Sequence, residues 1–279
     1  MELTWYPAPG KLNLLLHVVG RRDDGYHELQ TVFRLIDQAD RVGVAPRKDE
    51  RIVFDGPFGE QNLCVRAANC LKWETRTARG CDLALEKTLP IGGGLGGGSS
   101  DAATVLMALN RAWSLRLSRE RLMQIALRLG ADVPFFIYGR NALGEGIGER
   151  LQPLDLPAAW YLVLTPQVSV STKETFESAL THRSKRLKIP PFFPGQGSND
   201  LEAAVVARYP EVAASLAWLR KHRPQARMTG SGACVFAEFE TEAEARALHT
   251  TALQSDLPGG MQGFVARGLE QHPLHAFMD

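Results

Sequence analysis

The feature that most constrains this chain is a run of glycines in the first half of the sequence. Six glycines fall within residues 92–98, in a segment that reads Pro90, Ile91, Gly92, Gly93, Gly94, Leu95, Gly96, Gly97, Gly98, Ser99, Ser100. Because glycine has no Cβ, such a backbone can turn sharply and approach a ligand closely. Alternation from Cys81 to Glu86 predicts a strand before the run, and apolar spacing from Ser100 to Trp113 predicts a helix after it. The free N–H groups at a helix N-terminus favour an anion, so the sequence predicts a phosphate-binding loop.

Three other interpretations of the glycine run have weaker support. Gly92, Gly94 and Gly97 match the G-x-G-x-x-G fingerprint of dinucleotide sites, but no acidic residue lies in 113–117, where one is expected. A Walker A loop needs a lysine where Gly98 stands. A flexible linker does not usually run from a strand pattern straight into an apolar helix.

A polyphosphate on this loop needs positive charge, and the loop itself has none. Lys87 lies just before the loop and Lys11 lies far upstream. Mg²⁺ brought in with the nucleotide would supply the rest. We expect no metal site made by the protein alone, since none of the four cysteines forms a C-x-x-C pair.

Composition excludes several classes of protein. The chain has 279 residues with 32 basic and 31 acidic side chains, so it lacks the basic excess typical of nucleic-acid binding. Its densest basic cluster, Arg183 to Lys188, is interpreted as a solvated loop. No apolar run approaches the roughly 18 residues of a membrane span, and the N-terminus does not resemble a signal peptide. Sparse cysteines suggest a reducing compartment, and we expect a cytoplasmic protein.

Hydrophobic periodicity predicts a mixture of strands and helices, and hence an α+β fold. Strands are predicted at Leu12–Val19, Leu29–Ile36 and Arg41–Ala45, the last two joined by a connection at residues 37–40. Helices are predicted to begin at Asn62 and Ser118, both good N-cap residues. The proline-bounded segment 153–157 suggests two lobes, at residues 1–155 and 156–279.

Three separated segments resemble the signature motifs of the GHMP kinases. The first is Pro7 to Leu14, the second is the glycine loop with Asp101-Ala102-Ala103, and the third is Thr229 to Cys234. The resemblance implies a two-lobed fold, with an N-terminal ribosomal S5-like α/β lobe that binds ATP and a C-terminal ferredoxin-like lobe. It also implies phosphoryl transfer from ATP to an alcohol in the cleft between them.

Further segments resemble one branch of these kinases, whose acceptor is a cytidine diphosphate-linked methylerythritol of the non-mevalonate isoprenoid pathway. They are Arg22 to His27, Gly130 to Phe135, and the ending from Gly268 to His275. Homoserine- and mevalonate-type kinases remain alternatives, as does a non-catalytic nucleotide-binding relative. The expected partners are ATP and this small acceptor, with the protein a monomer or weak homodimer.

The resemblance implies roles for individual residues. Asp132 is the expected general base, although an aspartate before Val133-Pro134 is also a plausible turn or capping residue. Lys11 is expected to pair with Asp132 and to offset charge on the transferred phosphoryl group. Asn13 lies two residues on, hence on the same strand face, and is expected to orient the acceptor.

The remaining predicted contacts divide between the two substrates. Lys87 and Asn62 are expected near the nucleotide, although a solvated lysine and a simple N-cap are the ordinary alternatives. Tyr26, His27 and Phe176 are expected to hold the cytosine, by stacking and by hydrogen bonding to the base edge.

Overall fold

The computed structural model describes residues 2–178, 195–254 and 262–278. The predicted basic loop from Arg183 to Lys188 lies outside these ranges. Within them, no helix is both long and apolar enough to cross a membrane. The strands are β1 Thr4–Arg21, β2 His27–Arg47, β3 Ile52–Asp55, β4 Gly80–Glu86, β5 Ala142–Gly146, β6 Arg150–Pro153, β7 Trp160–Thr165, β8 Arg227–Met228, β9 Val235–Phe239 and β10 Gln262–Leu269. The helices are α1 Leu63–Thr75, α2 Gly97–Ala112, α3 Arg119–Leu127, α4 Val133–Tyr138, α5 Thr172–Ser178, α6 Glu202–Arg208, α7 Pro210–His222 and α8 Glu242–Leu253.

A long antiparallel hairpin of β1 and β2 forms the centre of the first half of the chain. The sequence predicted two strands where β2 runs unbroken, and the connection predicted at residues 37–40 was wrong. Asp37 and Asp40 are polar because each accepts a backbone hydrogen bond from another part of the chain. Asp37 accepts a hydrogen bond from the backbone N–H of Arg267, and the fully buried Asp40 accepts from the N–H groups of Thr88 and Leu89. The register with β1 shifts at this point, because Ile36, Asp37 and Gln38 of β2 lie opposite Gly10 alone, between the pairs Pro9–Ala39 and Lys11–Leu35.

The strands form one hydrogen-bonded path in the order β3-β4-β2-β10-β7-β9-β8, with β1 and β5 also paired to β2 and β6 paired to β5. This mixture of sheet and helices confirms the predicted α+β class. The late strand β10 pairs with β2 through Leu269 and Leu35, and with β7 along most of its length. Since β10 hydrogen-bonds to strands on both sides of residues 153–157, the lobe boundary there stays a prediction.

Helix α2 is buried along most of its length, and its residues from Ser100 to Asn110 are all buried. It begins at Gly97 rather than at the predicted Ser100, so the last part of the glycine loop is already helical. The apolar segment from Val133 to Tyr138 is the helix α4. Strands β5 and β6 were not predicted, because Gly144 and Gly146 interrupt the alternation of β5 and because β6 has only four residues.

Capping predictions were accurate for two helices. The Asn62 side chain accepts a hydrogen bond from the N–H of Cys64 at the start of α1, and Ser118 accepts from Arg121 at the start of α3. Helix α3 ends at Leu127. All four cysteines are free thiols, with Cys70 half-buried and the other three buried.

After β10 the chain returns to the first half of the molecule and packs beside α4. The backbone N–H of His272 donates to the carbonyl of Gly139, which ends α4. The His272 ring is buried, and its Nδ1 accepts from the N–H of Leu274 at 3.0 Å. Burial, with a smaller contribution from the charge of His275, lowers the pKa of His272 to about 3.

This buried histidine predicts acid sensitivity. The folded-state pKa lies below the ordinary value of 6.5, so the unfolded chain binds a proton that the folded chain excludes, and stability falls as pH drops below about 6.5. His272→Asn keeps an acceptor for Leu274 without titrating. The free energy of unfolding is measured by urea titration between about pH 5 and 7.5. On acidification it should fall less steeply for the variant than for the wild-type protein, by up to about 1.4 kcal/mol per pH unit.

The control for this experiment is His222→Asn, because His222 is exposed. It should keep the acid sensitivity of the wild-type protein. If His272→Asn were as acid-sensitive as this control, the buried ring would not be the source of the effect.

Candidate active site

A cleft of about 590 Å³ opens between the glycine loop, the β1–β2 hairpin and the start of α4. Of the predicted site residues, it brings together Lys11, Asn13, Asn62, Lys87, Asp132 and Phe176 with residues 90–99 of the loop. Tyr26, His27 and Ser100 are not among its lining residues. The site predicted from separate motifs is therefore largely one cavity.

The glycine loop is fixed to its neighbours through its carbonyl groups. Leu95 accepts from the N–H of Lys11 at 2.9 Å, Gly93 accepts from Cys234 at 3.2 Å, and Gly92 accepts from Ala233 at 3.3 Å. The first N–H groups of α2, which begins at Gly97, have no carbonyl one turn earlier in the helix to pair with. The loop therefore uses acceptors for support and presents donors to the cleft, as an anion site requires.

The third motif supports the loop from behind. Gly94 has φ 76°, and a Cβ on it would lie 2.3 Å from the carbonyl oxygen of Thr229. A Cβ on Gly230 would lie 2.8 Å from the carbonyl oxygen of Gly94. The two backbones approach so closely that neither position has room for a side chain. The third motif therefore supports the glycine loop by direct backbone packing.

Lys11 lies almost fully buried at the base of the cleft. Its Nζ is 2.5 Å from Oδ1 of Asn13 and 3.4 Å from Oδ2 of Asp132. Its stem passes beneath the loop, with Cε 3.1 Å from where a Cβ on Gly96 would be. The ammonium group thus lies where the phosphate loop and the carboxylate of Asp132 meet.

Asp132 immediately precedes α4 but does not cap it, because its side chain makes no capping hydrogen bond. The carboxylate is 34% exposed and faces the cleft beside Lys11. Helix α4 is held by the buried rings of Phe135 and Phe136, and Phe135 stacks on Phe33. Helix α4 therefore presents to the cleft a carboxylate that does not cap the helix and that pairs with Lys11.

Asn13 is held from three sides. Its Nδ2 donates to Thr31 at 2.7 Å, its Oδ1 accepts from Lys11, and its backbone N–H donates to the Thr229 hydroxyl at 2.9 Å. Thr31 in turn donates to the carbonyl of Leu15. The amide orients Lys11, a role that the sequence did not reveal.

Lys87 lines the cleft with its side chain 17% exposed, so it is not the solvated lysine of the ordinary alternative. Its Nζ donates to Asp40 at 2.5 Å and to Asp101 at 2.9 Å, and both carboxylates are buried. Burial opposes the charge on Lys87, but the two carboxylates outweigh it and raise its pKa. Neither aspartate was given a role from the sequence, although an aspartate on the apolar face of α2 was an available signal.

Asp101 has an unusual environment. One oxygen bonds to Lys87, and the other, Oδ1, is buried with no hydrogen-bond partner in the described part of the chain. Burial raises the pKa of Asp101, Lys87 lowers it and Asp40 raises it further, to about 7. Across the described ranges, no group of three or more His, Cys, Asp or Glu side chains could hold a metal ion.

Asn62 caps α1 and also donates from Nδ2 to the carbonyl of Pro57 at 2.9 Å. It lines the cleft close to Phe58, whose side chain is 64% exposed with a backbone φ of 67°. The N-cap interpretation of Asn62 is correct, and it does not exclude the expected position near a nucleotide.

The predicted cytosine site is only partly formed. The rings of His27 and Phe176 stack on each other, with centroids 5.4 Å apart and planes at 30°. Tyr26 is 59% exposed on the turn before β2. A base between Tyr26 and Phe176 would need the His27 ring to move from its present contact, so the stacking roles stay predictions.

Comparisons with known proteins agree with the three motifs. A family model described as "GHMP kinases N terminal domain" matches residues 62–140, and one described as "GHMP kinases C terminal" matches residues 193–252. A protein of Thiobacillus denitrificans named 4-diphosphocytidyl-2-C-methyl-D-erythritol kinase is 58% identical over 98% of each chain.

Solved structures show the same relationship. A crystal structure of 4-(cytidine 5'-diphospho)-2C-methyl-D-erythritol kinase has a TM-score of 0.84 and 34% identity, over 95% of this chain and 99% of that one. A homoserine kinase from Cytophaga hutchinsonii has a TM-score of 0.71 with 14% identity, over 98% and 96% of the two chains, and shows the shared fold alone. The two-lobed GHMP kinase fold predicted from the motifs is confirmed. The chain belongs to the GHMP kinases, and within them to the family of 4-diphosphocytidyl-2-C-methyl-D-erythritol kinases.

Proposed function

We propose that this protein transfers the γ-phosphoryl group of ATP to a hydroxyl of the methylerythritol part of 4-diphosphocytidyl-2-C-methyl-D-erythritol. The observation that carries the proposal is the ion pair of Lys11 and Asp132 at 3.4 Å, opposite the glycine loop in one cleft. The identity to the Thiobacillus denitrificans kinase supports the acceptor. Homoserine and mevalonate are not favoured as acceptors.

Asp132 is the proposed general base. The acceptor hydroxyl gives its proton to the carboxylate as its oxygen forms a bond to the γ-phosphorus. The bond from the γ-phosphorus to the bridging oxygen then breaks, and ADP leaves with that oxygen. A base for this step must lie within hydrogen-bond reach and be free of structural duties, and the half-exposed, uncapped carboxylate of Asp132 meets the second condition.

Lys11 is proposed to act by charge. In phosphoryl transfer, negative charge spreads over the transferred group, and a fixed cation stabilises it best in a site that excludes water. The Lys11 ammonium is buried, and Asn13 fixes its position. Because Asn13 is itself tied to Thr31 and Thr229, the cation does not have to reorganise during the reaction.

ATP is proposed to lie with its phosphates on the N–H groups at the start of α2. The other end of the cleft, lined by Phe58, Asn62, Leu63 and Leu85, is apolar enough for the base. Lys87, held between two carboxylates, has little net charge to offer. We therefore assign it to shaping this wall more than to neutralising phosphate.

Mg²⁺ is proposed to accompany the nucleotide. It usually keeps several waters and binds through substrate phosphates with one or two carboxylates. The unpartnered Oδ1 of Asp101, a residue that lines the cleft beside Gly97 and Gly98, fits this need. Asp101 would hold the ion, which would offset phosphate charge when bound. A cytoplasmic location and a monomer or weak homodimer stay predictions.

The first test of the mechanism is Asp132→Asn. Without a base, turnover should fall about 10²–10⁴-fold, because the amide cannot accept the proton. Affinity for a non-hydrolysable ATP analogue, measured by calorimetry, should stay within about threefold, since Asp132 does not line the loop. The exposed Asp55→Asn serves as a matched control and should keep normal turnover. Near-normal phosphorylation by Asp132→Asn would remove Asp132 from the role of base.

A second test asks whether nucleotide binding depends on the close packing of the glycine loop. Gly94→Ala places a methyl group against the Thr229 carbonyl and forces a positive φ, so both nucleotide affinity and melting temperature should fall. We extend this to Gly94→Val and Gly96→Val. Gly98→Ala is the matched control, because its Cβ meets only Leu63 at 3.4 Å. It should keep the melting temperature. Unchanged calorimetric affinity in Gly94→Ala would show that phosphate binds elsewhere.

A third test concerns the acceptor. Tyr26→Ala and Phe176→Ala should each raise the Michaelis constant for the cytidine substrate by about 5- to 100-fold, the worth of one base-stacking contact. The constant for ATP should not change. His27→Ala should do the same and also lower turnover, since a misplaced acceptor reacts slowly. Phe58→Ala, at the other end of the cleft, should instead raise the Michaelis constant for ATP. The opposite pattern would mean that the two substrate ends are exchanged.

A further inference from the structure

Asn199 lies in a connector that the sequence motifs did not include. The connector follows β1 closely, because the N–H of Leu16 donates to the carbonyl of Ser198 and the N–H of Asp200 donates back to the carbonyl of Leu16, both at 2.9 Å. The Asp200 side chain also accepts from the N–H of Val18. Residues 198–200 therefore run as a short extra strand beside β1, the strand that carries Lys11 and Asn13.

The Asn199 side chain joins this connector to the third motif. It is buried, and its Nδ2 donates to the carbonyl of Met228 at 2.9 Å and to the carbonyl of Gly230 at 2.8 Å. Its Oδ1 accepts from the N–H of Leu201 at 3.0 Å. Every polar atom of the amide is thus in use, and its two donors hold the carbonyls on either side of Thr229.

Thr229 lies between the two halves of the reaction site. Its hydroxyl accepts from the N–H of Asn13 at 2.9 Å, on the acceptor side. Its carbonyl packs against Gly94, on the phosphate side. A shift of this one residue would move the phosphate loop relative to Lys11 and Asn13.

We propose that Asn199 is a positioning residue for phosphoryl transfer, which fixes Thr229 and thereby sets the phosphate loop against the acceptor strand. Asn199 touches neither substrate and acts through Met228, Thr229 and Gly230. The inference rests on the proposed function. Its consequence is a loss of turnover out of proportion to any loss of affinity, because a displacement of about 1 Å between reacting groups costs up to about 100-fold in rate.

The test is Asn199→Asp, which preserves size and the acceptor for Leu201 but removes the two donors. A carboxylate facing two carbonyl oxygens repels them, whereas its protonated form regains one donor. We expect kcat to be about 10- to 100-fold lower near pH 8 with both Michaelis constants within about threefold of wild type. Relative to wild type at each pH, kcat should recover as the pH is lowered. The titratable neighbours are Asp200, Glu202 and Arg227, each already paired with backbone groups.

Two matched Asn→Asp controls define a structural effect. Asn110 is a buried amide near the C-terminal end of α2 that forms two hydrogen bonds with the backbone of Leu117. Asn69 is exposed on α1. Asn110→Asp should lower the melting temperature and leave kcat unchanged, and Asn69→Asp should change neither. Asn199→Asp overturns the proposal if it behaves like Asn110→Asp, or if its loss of kcat is the same at every pH.

A second variant keeps the proposal testable if Asn199→Asp does not fold. Thr229→Val removes the acceptor for Asn13 with little change in shape, and it should lower kcat more than either Michaelis constant. If both single variants fold, the loss of kcat in the double variant should be no larger than in the more impaired single variant, because both substitutions act through Thr229. Additive losses, or a Thr229→Val protein with normal kcat, would contradict it. Turnover by the wild-type protein tests the proposed function separately.

Discussion

The backbone contact between Gly94 and the turn at Thr229–Gly230 is the constraint on which the site depends. It joins the phosphate loop to a turn more than a hundred residues later in the chain, at a distance that excludes a Cβ on either glycine. Hydrogen bonds from Ala233 and Cys234 to the loop carbonyls continue the same contact. Because the loop carbonyls accept these supporting hydrogen bonds, the N–H groups of the loop remain available to an anion. Thr229 reaches Asn13 from the same turn, so one element fixes both the phosphate side and the acceptor side.

The second organising feature is buried charge. Lys11, Lys87, Asp40 and Asp101 all lie below the surface, where charge is expensive unless it is paired. Asp40 is well compensated, since it accepts from two backbone N–H groups and from Lys87. Asp101 is not, because one of its oxygens has no partner among the described residues, and its raised pKa reflects this. A buried carboxylate in this state lowers stability, and its place in the cleft agrees with the proposed role of Asp101 in holding Mg²⁺.

Much of the fold followed from local patterns. The glycine loop, the helix after it, the caps at Asn62 and Ser118, and the α+β class were all predicted from composition and periodicity. The failures have physical causes. Polar residues at 37–40 resembled a turn because their partners, Arg267, Thr88 and Leu89, are distant in sequence. Strand β5 was hidden by glycines, which weaken a strand pattern but are tolerated where a side chain such as Phe33 fills the space above Gly144.

The sequence by itself determined the chemical groups of the site: a phosphate loop, a lysine, a carboxylate, and the three motifs that identify the family. Motifs reveal these because each is a short run of neighbouring residues. Only the tertiary structure decided how they are held. The pairing of Lys87 with two aspartates, the support of Asn13 by Thr229, and the two donors of Asn199 all join residues far apart in the chain. Local periodicity carries no information on such contacts, since a buried hydrogen bond depends on which surfaces meet after the chain has folded.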